Sequence, residues 1–207
     1  MVYYVASSLD VERRTGAKAS YIIPAGNLGN AFAAVWARAL GFPIARIVLA
    51  HNVNRTVPDY LNTGIWQPRP SIATLASAMD VGNPSNMERM RALYPTWNLL
   101  REQLSADSVD DATIRIRIGE DFMRFGREWC PHTATAAEVY SRLSETERRD
   151  HPWVVVATAH PAKFNEIVEP ITGKPVTVPD SLDRLLRLPQ HAVDLPPTLE
   201  ALAAALE

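Results

Sequence analysis

Lysine is nearly missing from this chain. Lys18, Lys163 and Lys174 are all there are among 21 basic residues, so arginine carries the positive charge. Cysteine is rarer still. Cys130 stands alone, which excludes an internal disulfide and fits a reducing compartment; it reads as an inert packed thiol. No apolar run approaches the ~18 residues of a membrane span, and no signal-peptide pattern opens the chain, so a cytoplasmic location without a membrane partner is expected. Neither charge sign is in excess, with 21 basic against 23 acidic residues for a net charge of -2, and no nucleic-acid partner is expected. No His/Cys spacing matches a metal site, and no Gly-x-Ser-x-Gly supports a serine hydrolase. Glycine, at 9 residues, is outnumbered by proline at 16, which makes the close pair Gly26 and Gly29 worth attention. What is present is an average globular composition, 47% apolar, in a chain long enough to bury a real core.

Strand-like and helix-like segments alternate. Val2-Tyr3-Tyr4-Val5 reads as an apolar helix or strand, and Asp10 to Ala17 as a polar connection. Tyr21-Ile22-Ile23 is a buried strand end stopped by Pro24. Asn30 to Leu40 has apolar residues on every face, so it reads as a buried helix, ended by Gly41 and Pro43. Arg46 to Ala50 is a second buried strand, Thr56 to Asn62 a short helix closed by Gly64, and Ile72 to Leu75 a short strand. Asn83-Pro84 carries the chemistry of a helix start. Asp107 to Phe125 fits strand alternation or a helical face, and its length and Asp107 as cap favour helix. Thr133 to Leu143 is helical, Trp153 to Ala157 is a strand, and helices follow at Pro161 to Ile171, Leu182 to Leu188 and from Thr198 onward. Strands apolar on both faces and separated by helices predict an α/β fold with a parallel sheet, as a single domain over residues 1–207.

One loop carries chemistry. Pro24-Ala25-Gly26-Asn27-Leu28-Gly29-Asn30 joins a strand end to a helix start, where unpaired amides and the positive end of the helix dipole favour an anion such as phosphate. Its Gly-x-x-Gly spacing fails the dinucleotide fingerprint, and no Gly-Lys-Ser/Thr supports a phosphate-binding loop of nucleotidases. Taken alone, the loop is either such a cradle or an ordinary turn with glycine at a positive φ. Asn27 is a candidate phosphate contact or a turn residue. Ser77, Ser85, Asn86 and Arg89 are candidates for holding a substrate phosphate, or else helix caps and a solvated face. His132 and His160, each beside a proline at a helix start, read as capping or packing residues.

Further blocks follow in order: His51-Asn52-Val53-Asn54, Ala73 to Asp80, Ser85-Asn86-x-x-Arg89, Pro131-His132-Thr133-Ala134, and Thr158-Ala159-His160-Pro161-Ala162-Lys163-Phe164. Together with the glycine loop they resemble the threonine synthases, over nearly the whole chain and over the C-terminal portion, about half, of the family's own length. Threonine synthases are pyridoxal-phosphate (PLP) enzymes of the tryptophan-synthase-β-like fold, fold type II, that convert O-phosphohomoserine and water to threonine and phosphate. The resemblance implies an incomplete three-layer domain of that fold, with PLP as cofactor. It further implies that Gly26, Asn27, Leu28, Gly29 and Asn30 hold the cofactor phosphate, and that the Thr158 hydroxyl meets the pyridine nitrogen. A hydroxyl there leaves that nitrogen largely unprotonated and the ring a milder electron sink.

The resemblance also implies what is missing. The family's Schiff-base lysine lies in a Ser-Phe-Lys-Asp type segment of the N-terminal portion, and no such segment occurs here. Lys163 matches a family lysine with another role, and Lys18 and Lys174 lie in a polar connection and a turn. No catalytic residue is therefore expected in this sequence. The opening Val2-Tyr3-Tyr4 resembles the middle of a helix of the complete enzyme, so a truncated or split enzyme is expected. Such a chain would be inactive alone and a lyase only with an N-terminal half as partner. The alternatives are a non-catalytic module that binds PLP or a phosphorylated metabolite, and a fragment without function of its own.

Overall fold

The structure, a computed structural model, describes residues 1–189 and 191–206. It divides into two compact units, Met1–Val176 and Thr177–Glu207. The first unit runs α1 (Val2–Thr15), β1 (Ala19–Pro24), α2 (Gly29–Ala39), β2 (Ile44–His51), α3 (Thr56–Thr63), α4 (Met87–Leu93), α5 (Trp97–Gln103), β3 (Ser105–Ser108), α6 (Asp111–Phe125), α7 (Pro131–Arg142), α8 (Glu145–Asp150), β4 (Trp153–Val155) and α9 (Asn165–Thr172). The second contains α10 (Asp180–Leu186) and α11 (Leu199–Leu206), in neither of which a buried residue is found. Among the described residues no helix is long and apolar enough to cross a membrane.

The four strands form one parallel sheet in the order β3-β2-β1-β4. Every residue of β1 is buried, because helices cover both faces of the sheet. Side chains alternate between those faces. Tyr21, Ile23, Ile47 and Leu49 pack with Tyr4 of α1, Val35 of α2, Tyr60 of α3 and Leu100 of α5. Ile22, Val48 and Ala50 pack with Ile114 and Ile118 of α6, Val139 of α7 and Val168 of α9. The result is a helix–sheet–helix sandwich, with the β1–β4 register set by Ile22 opposite Val155.

Several segments depart from the sequence reading, each for a local reason. The polar connection at Asp10 to Ala17 is mostly the end of α1, where Asp10 pairs with Arg13 and Arg14 one turn on. Ile72 to Leu75 is not a strand. The Asn54 side chain donates to Ile72 O at 2.9 Å and accepts from Ile72 N at 2.8 Å, supplying the two bonds a neighbouring strand would have made. The helix expected at Asn83-Pro84 begins only at Met87, and Asn86 before it turns its side chain to Asn27 instead of capping. Asp107 lies in β3, and the cap of α6 is Asp110, which accepts from Thr113 N at 2.7 Å. The Trp153 to Ala157 strand is assigned to Val155, although Val156 N still donates to Ile22 O at 3.0 Å.

Candidate functional site

From β1 the chain crosses to β2 on one side, whereas β4 lies on the other side of β1. A crevice at the carboxyl ends of the strands is expected where the strand order reverses in this way. The loops leaving β1 and β4 emerge there side by side. Between them lies a cavity of about 250 Å3 whose lining includes Gly26, Asn27, Leu28, Gly29, Asn30 and Thr158. All six residues singled out for the cofactor are thus brought to one place.

The loop's geometry is unlike the one glycine counting suggests. The left-handed residue is Leu28, at φ 63, and neither glycine of the pair. Its side chain is 2% exposed and part of the core, so burial offsets the roughly 1–2 kcal/mol cost of that conformation. Gly26 is required by contact instead, since a Cβ there would sit 2.7 Å from Met79 Cα. A Cβ on Gly29 would meet only Asn86 Nδ2, at 3.6 Å, an ordinary contact. The first i to i-4 bond of α2 runs from Phe32 N to Leu28 O, at 2.8 Å. The amides of Gly29, Asn30 and Ala31 precede it and are the helix's free donors. No charged side chain lines the cavity among the described residues, so an anion would be held by backbone amides and the helix dipole.

The other candidates divide. Asn27 Oδ1 accepts from Ser85 N at 2.6 Å and from Ser85 Oγ at 3.1 Å, and Asn86 Nδ2 donates to Asn27 O at 2.8 Å. Ser85 and Asn86 therefore tether the loop from outside the cavity. Arg89 N donates to Asn86 O at 3.1 Å, and the residue lines a shallow groove with Phe32 and Trp36, outside the cavity. Asn30 Oδ1 accepts from Tyr4 Oη at 2.9 Å, and burial pushes the Tyr4 phenol up, so it remains a donor. Asn30 and Thr158 also line an adjacent, larger cleft of about 780 Å3 that runs along Val154 to Ala157 to Tyr3 and Tyr21. A separate cleft of about 590 Å3, among α6, α7 and β4, includes none of the singled-out residues.

The wall opposite the loop lies in the Ala73 to Asp80 block, where Ala78 and Met79 line the cavity and the candidate Ser77 does not; its anchoring has no local signature. It is the turn at Ser77–Met79, anchored by Asp80, which accepts from Thr74 N at 3.0 Å, Thr74 Oγ1 at 2.7 Å and Asn52 Nδ2 at 2.7 Å. The signal in the sequence was the pair Asn52 and Asn54 directly after a strand, where side chains can stand in for missing ladder bonds. His132 does not cap α7. That role falls to Cys130, whose Sγ accepts from Thr133 N at 3.4 Å. His132 lines the cavity and accepts from Ala78 N through Nε2 at 3.1 Å. His160 does cap, accepting from Ala162 N at 3.2 Å.

Comparison with known proteins agrees with this architecture. The family model "Threonine synthase, C-terminal" matches residues 133–206. Threonine synthase of Escherichia coli is 35% identical over 202 residues, which is 97% of this chain and 46% of that protein. The crystal structure of threonine synthase from Escherichia coli superposes with a TM-score of 0.79 at 34% identity, over 91% of this chain and 43% of that one. The PLP-bound threonine synthase from Brucella melitensis gives a TM-score of 0.84 at 26% identity, over 99% and 49%. The chain spans about half the length of the curated relatives it matches. Its three-layer parallel sheet is the tryptophan-synthase-β-like, fold type II architecture of those enzymes. By sequence and by fold, the chain belongs to the threonine synthase family and corresponds to a C-terminal part of its members.

Proposed function

We propose that this chain carries the phosphate-holding side of a PLP site that works on O-phosphohomoserine, converting it with water to threonine and phosphate. The observation that carries the reading is the meeting of the Gly26 to Asn30 loop and Thr158 at one cavity beside a helix N-terminus. The residues present fit the cofactor, because free amides face a space whose lining has no carboxylate to repel a phosphate. When bound, the cofactor supplies an electron sink that lets protons leave the substrate's carbon atoms.

The chain's own residues do the rest of what is assigned here. The amides of Gly29, Asn30 and Ala31 bind the phosphate, and Gly26 lets the loop and the Met79 turn approach closely. The Thr158 hydroxyl orients the ring at its nitrogen without protonating it. Ser85 and Asn86 hold Asn27 in place; to grip a substrate phosphate they would have to release it. Lys18, Lys163 and Lys174 do not line the cavity. The amine that anchors the cofactor and moves the substrate's protons is therefore assigned to a segment outside these 207 residues, with an N-terminal half as partner.

The test is phosphate release from O-phosphohomoserine, with PLP present, by the chain alone and by the chain mixed with the N-terminal half of a threonine synthase. Release only on mixing is expected. Release by the chain alone would overturn the assignment of the amine to another segment. Binding of PLP with no release on mixing would favour the non-catalytic binding module.

A further inference from the structure

We propose that His132 is a positioning residue of the phosphate cradle, holding the Ala76–Asp80 turn against Gly26 through its bond from Ala78 N. This rests on the reading of the cavity as a phosphate site. The turn forms the wall facing the loop, close enough that a Cβ on Gly26 would touch Met79 Cα. One end of that wall is tied down by the Asp80 carboxylate and its bonds to Asn52 and Thr74. The middle is tied by His132 Nε2, which accepts from Ala78 N at 3.1 Å across 54 positions of sequence.

His132 also makes a contact outside the cavity lining. Its ring packs against Phe164 at 4.8 Å between centroids, and Phe164 closes the segment that begins with Thr158. The imidazole therefore links the wall facing Gly26 to the turn that follows Thr158. An acceptor at Nε2 places the ring proton on Nδ1, which is buried without a partner among the described residues. A packing residue would not need this nitrogen, since Phe or Leu fills such space with no unpaired polar atom. Protonation would turn Nε2 into a second donor facing Ala78 N and break the tie. Burial holds the ring neutral by lowering its pKa, and Asp80, the charged group facing it, opposes that only in part.

The experiment measures inorganic phosphate and PLP binding by the 207-residue chain, alongside thermal melting. His132→Phe should weaken both ligands by about tenfold, the size of one lost buried acceptor. His132→Gln, whose Oε1 can accept from Ala78 N, should restore both to within about threefold. If His132→Phe melts early, the pH profile decides. The wild type should lose affinity on acidification beyond the loss shown by His132→Gln, which has no ring to protonate. Wild-type binding with no effect of either variant would overturn the role of His132 alone. Equal losses in folded Phe and Gln variants, or matching pH profiles, would overturn it too. No phosphate or PLP binding by the wild type would overturn the cavity reading and this inference with it.

Discussion

Gly26 and Met79 meet backbone to backbone, with room between them for a hydrogen and no more: an added Cβ would lie 2.7 Å from Met79 Cα and 3.0 Å from Ala78 O. The contact joins two segments 53 positions apart that belong to separate blocks of the sequence. Gly26→Ala should therefore push the turn away from the loop. The expected cost is about 1–3 kcal/mol of stability, as for overpacking elsewhere, with loss of phosphate binding beyond what the melting shift explains. Denaturant titration and phosphate calorimetry on the same sample check both.

Leu28 invites the opposite substitution. Leu28→Gly would relieve the roughly 1–2 kcal/mol held in a left-handed non-glycine residue. It would also remove a core side chain, at about 2–5 kcal/mol. Burial wins, and a net loss of about 1–3 kcal/mol is expected in urea unfolding. An unchanged or higher midpoint would mean the side chain contributes little to packing.

Thr158 is exposed, so its hydroxyl has little bearing on the fold. Thr158→Ala should leave the melting temperature unchanged and weaken PLP by about tenfold, with inorganic phosphate unaffected. A parallel loss for both ligands would place Thr158 at the phosphate and not at the ring.

His51, at the end of β2, sets an acid limit. Burial pulls its pKa down to about 3 from the ordinary 6.5, so the folded state keeps it neutral while the unfolded chain takes up a proton below that ordinary value. The unfolded state then binds more protons, and stability should fall as pH drops from 6.5 towards about 3. His132, shifted the same way, adds to the slope. His51→Phe should flatten stability against pH across that window, measured by urea midpoints at successive pH values. An unchanged slope would mean His51 is not the main proton acceptor on unfolding.

The central strands were readable because they are buried on both faces, and Tyr21 to Ile23 and Ile47 to Ala50 are short apolar runs with no competing pattern. The helices α2 and α7 were readable for a related reason, since their stop and start chemistry is local to Gly41 and Pro131. What escaped depends on distant partners. Ile72 looks like a strand residue until Asn54 takes its backbone bonds, and Asn83 looks like a cap although the helix begins only at Met87, with Asn86 before it drawn to Asn27. The loop's place was visible in its glycines, yet the left-handed turn fell on Leu28 because the core, not the local chain, rewards it. For His132 the local sequence offers capping or packing and no more, because its hydrogen-bond partner, Ala78, belongs to another block altogether.

The pairing of Ile22 with Val155 has one more effect. Four residues beyond Ile22 stands Gly26, and three beyond Val155 stands Thr158, so the sheet itself is a ruler between these two positions of the cavity lining. Sliding β4 by a single position would shift Thr158 by about 3.3 Å and turn alternate side chains to the wrong side. On the proposed PLP reading, the span from the anionic group to the ring nitrogen is gauged by counting peptide units, and a ligand of different reach would be caught at one end only.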